Sequence, residues 1–124
     1  DHCKAILHVL EKGKVGQVYN IGGNNEKTNL EVVQTLCKII DELVPDSKFR
    51  PHKNLIRYVT DRPGHDRRYA IDASKIQNQL GWKPEKSFET GLRKTVQWYL
   101  DNKEWTNRVM SGAYRGERLG LEKT

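Results

Sequence analysis

Residues 61–76 read Asp61-Arg62-Pro63-Gly64-His65-Asp66-Arg67-Arg68-Tyr69-Ala70-Ile71-Asp72-Ala73-Ser74-Lys75-Ile76. Pro63-Gly64 marks a tight turn, and ionisable side chains crowd both sides of it. Arg68 to Asp72 then has the composition of a short strand leaving the turn. Ser74 to Leu80 has the spacing of a short helix, stopped by Gly81. Turn, strand and helix in this order predict an α/β lobe.

The flanking sequence extends the same pattern. Upstream, Gly16 to Gly23 reads as a short buried strand, with Val18, Tyr19 and Ile21 ahead of a double glycine, and Leu55 to Val59 as another. Between them Asn29 stands where an N-cap belongs, and Val32, Val33, Leu36, Ile39, Ile40 and Leu43 form an apolar helix face that Pro45 and Asp46 end. A Gly-Gly loop running into a helix brings backbone amides near a helix amino terminus, where anions bind readily. Residues 1–12 predict a further helix with Gly13 as its cap. The chain opens inside this helix at Asp1-His2, so a longer protein is expected upstream. Residues 46–54 read as a loop, and Ser87 to Asn102 as the longest helix, followed by a helical turn or two around Trp105. The expected organisation is one helix-rich lobe over residues 1–110, with four or five helices and a few short strands, and a polar tail over 111–124.

Composition bounds what such a lobe can do. The 124 residues suit one compact domain, and hydrophobic residues make up only 35%. A thin core predicts either marginal stability or apolar surface meant to be covered by something outside the chain, and the second fits the motifs better. The net charge of +6 admits nucleic acid, an anionic membrane surface or a phosphorylated small ligand. Positive and negative residues are well mixed, with no run of five like charges, which disfavours a nucleic-acid surface. Cys3 and Cys37 have no metal or redox spacing; both fall in apolar helical patterns and predict buried, reduced thiols. No apolar run approaches a membrane span, so a soluble, cytoplasmic protein is expected.

The chemistry concentrates in the turn. Arg62 offers a rigid fork of donors that suits a phosphate, and His65 adds one more. Asp61 and Asp66 are placed to hold those two side chains from behind. The competing reading is a charged surface turn making ordinary salt bridges, each worth little.

The string DRPGHDRRYAIDASKI, then LGW and FETGLRKTVQWYL, is very similar to the dTDP-glucose 4,6-dehydratase family of extended short-chain dehydrogenases. GQVYNIGGNNEKTNLEVV resembles the same family upstream, and GERLGL its bacterial tail. The resemblance implies the carboxyl-terminal, substrate-binding part of a Rossmann-type fold without its NAD-binding domain. It implies that Arg62 and His65 contact the diphosphate and ribose of a dTDP-sugar or dTDP. It also implies that Asn29 lines the same nucleotide site and that Asp61 and Asp66 support it. The family oxidises dTDP-glucose at C4 with NAD, removes water across C5 and C6, and returns the hydride to give dTDP-4-keto-6-deoxyglucose, on the way to dTDP-rhamnose.

Groups that this reaction needs are not matched in the chain. No Gly-x-x-Gly-x-x-Gly follows a strand, and neither the family's Tyr-x-x-x-Lys pair nor its Asp-Glu pair is found in its family context. Tyr99 and Lys103 do share that spacing, which would put them on one helix face, but they sit in the family's terminal helix. No catalytic residue, no metal and no cofactor in this chain is therefore expected, NAD belonging to the parent enzyme. The aromatic set Trp82, Trp98, Tyr99 and Trp105 admits sugar stacking, but helical spacing makes Trp98 and Tyr99 core or interface, and His8, His52 and Cys37 read as positions without partners at useful spacing. Two rival functions remain at this level: a self-associating module derived from a truncated dehydratase, and, more weakly, a nucleic-acid binder.

Overall fold

The computed structural model describes residues 1–65 and 69–112, so Asp66, the start of the strand expected at Arg68, and the tail beyond Gly112 lie outside the described residues. Five α-helices and one 3-10 turn carry the fold: α1 (His2–Lys12), α2 (Asn29–Leu43), the turn His52–Leu55, α3 (Ser74–Leu80), α4 (Phe88–Asp101) and α5 (Lys103–Met110). The helix expectations hold to within a residue or two. The longest helix, however, is α2 with 15 residues rather than α4 with 14.

Local chemistry explains the ends. Gly81 closes α3 with φ 71°, a left-handed conformation that a Cβ disfavours. Ser87 caps α4 by accepting the Thr90 N–H. The cap of α2 is Thr28 and not the expected Asn29. Thr28-x-x-Glu31 forms a capping box, with Thr28 Oγ1 accepting the Glu31 N–H at 3.2 Å and the Glu31 carboxylate accepting the Thr28 N–H at 2.8 Å.

Packing falls into two pairs. Helix α1 lies on α3, where Ala5, Ala73, Ile76, Leu80 and Trp82 form the core with Val9, Tyr19 and Ile21 against it. Ile76 is fully enclosed. The second pair is α2 on α4, with Ile39 and Val96 buried and α5 leaning on α4. Polar links fasten the loops to these pairs. Asp1 accepts the N–H groups of Glu85 and Lys86, Lys4 reaches Glu85 at 2.7 Å, and Arg93 bridges α4 to Glu42 of α2.

The three expected strands do not form as strands among the described residues. Residues 17–23, 56–59 and 69–72 have no regular secondary structure, since β-branched and aromatic content favours a strand but a strand also needs a ladder partner. The first and last do run close together, so close that a Cβ on Gly22 would fall 2.1 Å from Ile71 Cγ2. Lys75 stitches them further, donating to Val18 O at 2.8 Å and to Gln17 Oε1 at 3.0 Å. The expected buried strand 16–23 is correspondingly open, with Val18 77% exposed. Tyr58, Val59 and Tyr69 on the other two segments are also exposed. Cys3 is likewise exposed, not buried, because α1 buries only Ala5 completely; Cys37 is half-buried. Among the described residues no helix is long and apolar enough to cross a membrane.

Candidate functional site

The turn is built as its sequence requires. Pro63 and Gly64 occupy its centre, and Gly64 takes φ 70°, the positive value that a turn with Pro second and Gly third needs. Such a turn brings its outer residues, Arg62 and His65, within about 7 Å of each other. Asp61 organises both. Its Oδ1 accepts the backbone N–H of Arg62 at 2.8 Å and faces His65 Nδ1 at 2.8 Å. Arg62 is exposed, while the His65 side chain is 24% exposed. Asp61 thus touches the His65 ring and the Arg62 backbone, while Asp66 lies outside the described residues.

Asn29 stands apart from the turn. It opens α2 as its first residue, exposed, and Thr28 relieves it of the capping role. Among the described residues no hydrogen bond or ion pair joins Asn29 to Arg62 or His65. Between α2 and the segment 51–58 lies an open cavity of about 730 Å³, and neither Asn29 nor Arg62 nor His65 lines it. Leu30, next to Asn29, lines one wall, and Tyr58, leading into the turn, lines the other.

The amino terminus of α2 is not an open anion site. The Thr28 backbone N–H, and then its hydroxyl, hold the Glu31 carboxyl below the usual carboxylate range, so the helix already has its negative charge. The double glycine does not fit a dinucleotide pyrophosphate either. Gly22 packs on Ile71, where such a loop would need open backbone, and the following helix is closed by Glu31. Nor does the Tyr99/Lys103 spacing build a catalytic helix face, because the helix breaks at Asn102 between α4 and α5. Trp98 instead stacks edge-on with Tyr99 and Trp105, at 5.2 and 5.1 Å between ring centres. Among the described residues no group of three or more His, Cys, Asp or Glu could hold a metal ion.

One cluster escaped the sequence reading. His52, expected to lack partners, faces Asp41 Oδ1 through Nδ1 at 2.5 Å and Ser47 Oγ through Nε2 at 3.1 Å. The His52 ring holds the Asp41 carboxyl below its usual range, helped by the His52 backbone N–H and by Arg50. The order Ser, His, Asp resembles a hydrolytic triad, but the His52 side chain is only 12% exposed and Ser47 Oγ also accepts the Phe49 N–H. It is a clasp that folds the loop after α2 back onto that helix.

The described residues form a helical lobe whose Pro-Gly turn carries Arg62 and His65 beside Asp61. Residues 1–95 match the GDP-mannose 4,6 dehydratase family, and the chain belongs to that family. Within it, the chain is 58% identical to a dTDP-glucose 4,6-dehydratase of Escherichia coli over 98% of its own length. It is 55% identical to that of Neisseria meningitidis serogroup B over 99%. The chain spans about a third of the length of the curated relatives it matches, 34% and 35% in these two. Among solved structures, the dTDP-glucose 4,6-dehydratase of Bacillus anthracis in complex with NAD superposes with a TM-score of 0.66 at 56% identity, covering 84% of this chain and 30% of that one.

Proposed function

We propose that this chain is the substrate-binding lobe of a dTDP-glucose 4,6-dehydratase and supplies part of the site for a dTDP-sugar. Arg62 and His65 grip the diphosphate and ribose, Asn29 lines the nucleotide site, and Asp61 and Asp66 hold the gripping side chains. Residues 1–110 constitute the lobe and 111–124 its polar tail. The observation that carries this reading is the turn 61–65, where Asp61 Oδ1 accepts the Arg62 backbone N–H and meets His65 Nδ1, both at 2.8 Å, with Arg62 and His65 at the two ends of one Pro-Gly turn. An ordinary surface salt bridge would not place two anion-binding side chains on one four-residue turn.

In this reading the oxidation, elimination and hydride return depend on residues and NAD outside the chain, which alone turns over no dTDP-glucose. Exposed Val18, Tyr58, Val59 and Tyr69 belong to the surface that the rest of the dehydratase covers. In isolation the same surface drives self-association, which sedimentation at rising concentration would measure.

The test is an amide NMR spectrum of the labelled chain titrated with dTDP. Shifts centred on Arg62, His65 and Asn29 are expected, and their loss in Arg62→Ala while the spectrum stays dispersed. A well-dispersed spectrum that ignores dTDP to millimolar concentration refutes the proposal.

A further inference from the structure

The contact between Asp61 and His65 carries more than support. A carboxylate can only accept a hydrogen bond, so the 2.8 Å contact with Asp61 Oδ1 requires the His65 proton to sit on Nδ1. In the neutral ring Nε2 then presents a lone pair, which repels a phosphate oxygen. A second proton on Nε2 converts that nitrogen into a charged donor. We infer that Asp61 is a positioning residue that makes His65 a proton-linked ligand for phosphate: binding of the sugar nucleotide takes up one proton at Nε2. The inference rests on the nucleotide reading above and adds to it the protonation state in which His65 works.

The geometry supports this in two ways. Among the described residues, the charged group in contact with the ring is Asp61. The imidazolium would therefore lie between the Asp61 carboxylate and the ligand phosphate, with a charge-assisted bond on each side. The His65 side chain, at 24% exposure, is sheltered enough to hold its orientation and open enough for a ligand to reach it. A ribose hydroxyl at the same nitrogen would behave differently, because it can donate to the neutral ring and binds without a proton.

The probe is dTDP-glucose, whose two phosphates are both esterified and do not titrate near neutrality, so any pH dependence belongs to the protein. Binding to the full chain is followed by amide shifts at about pH 6 and about pH 8. Where the free ring is neutral, uptake of one proton weakens binding by about tenfold per pH unit, and Asp61→Asn should flatten the profile. Ring nitrogen shifts of the ligand-free chain at the higher pH provide an independent readout, expected to show the neutral proton on Nδ1 in the wild type and no such preference in Asp61→Asn. A neutral ring carrying its proton on Nε2 overturns the inference without any ligand. Binding of equal strength at both pH values also overturns it and leaves the nucleotide reading standing. No response to dTDP-glucose at either pH, in a folded chain, overturns the nucleotide reading and the phosphate step with it.

Discussion

Replacing Gly22 by Ala tests the contact between segments 17–23 and 69–72. The backbone at Gly22 is not in the left-handed region, so Ala would otherwise stabilise the fold by about 0.4–1 kcal/mol through a less flexible unfolded chain. The contact reverses that sign. The new Cβ would sit 2.1 Å from Ile71 Cγ2, against about 3.5–4.0 Å for carbon atoms at ease. Ile71 is β-branched and stiff at χ1, and its Cβ and carbonyl oxygen lie close behind at 3.6 and 3.4 Å. Relief must come from shifting the backbone or the whole side chain, which costs about 1–3 kcal/mol. The net loss is about 1–2 kcal/mol, a drop of about 0.5–1.5 M in the urea midpoint measured by tryptophan fluorescence and circular dichroism together. Because Ile71 is 48% exposed, Ile71→Ala alone should cost less than a buried truncation. The double variant should recover about 1–2 kcal/mol relative to the sum of the two single changes. Simple additivity would mean that the two segments do not touch.

Three further outcomes follow from the same structure. Ile76→Ala, at the one large side chain wholly enclosed between α1 and α3, should cost about 2–5 kcal/mol in urea unfolding, enough to unfold much of a domain with so thin a core. Thr28→Ala should cost about 0.5–2 kcal/mol and speed amide exchange in the first turn of α2, since it opens the capping box beside Asn29. Asp41 is held below its ordinary carboxyl range, so its contribution is fully present above that range and is lost as pH falls through the lowered folded value. Asp41→Asn should therefore flatten the acid limb of stability below about pH 4 in a thermal-melt series, and an unchanged limb would show that the clasp with His52 contributes nothing.

Much of this was legible from the chain of residues. Gly81 and Ser87 mark their helix ends with the residue types those positions need, and Pro63-Gly64 announces a turn whose left-handed Gly64 is observed. Asp61 and His65 meet because only four residues and a rigid turn separate them, which is a local matter. The cap of α2 was also written locally, as Thr28-x-x-Glu31, but a general preference for Asn at N-caps pointed one residue too far. The contact between Asp41 and His52 had no such signature. Eleven residues of loop and helix separate them, and nothing short of the folded-back path of 44–51 brings them together.

The sequence by itself determined the helices, most of their caps and the Pro-Gly turn, because each depends on dihedral preference and on partners within about four residues. The tertiary structure alone decided the rest. Segments 17–23 and 69–72 approach without forming a ladder, since strand pairing depends on a neighbour about 4.8 Å away and not on the residues of one segment. Likewise, Val18, Tyr58 and Tyr69 are apolar residues whose exposure is set by which surfaces are present to cover them, a property of the surroundings that no residue type encodes.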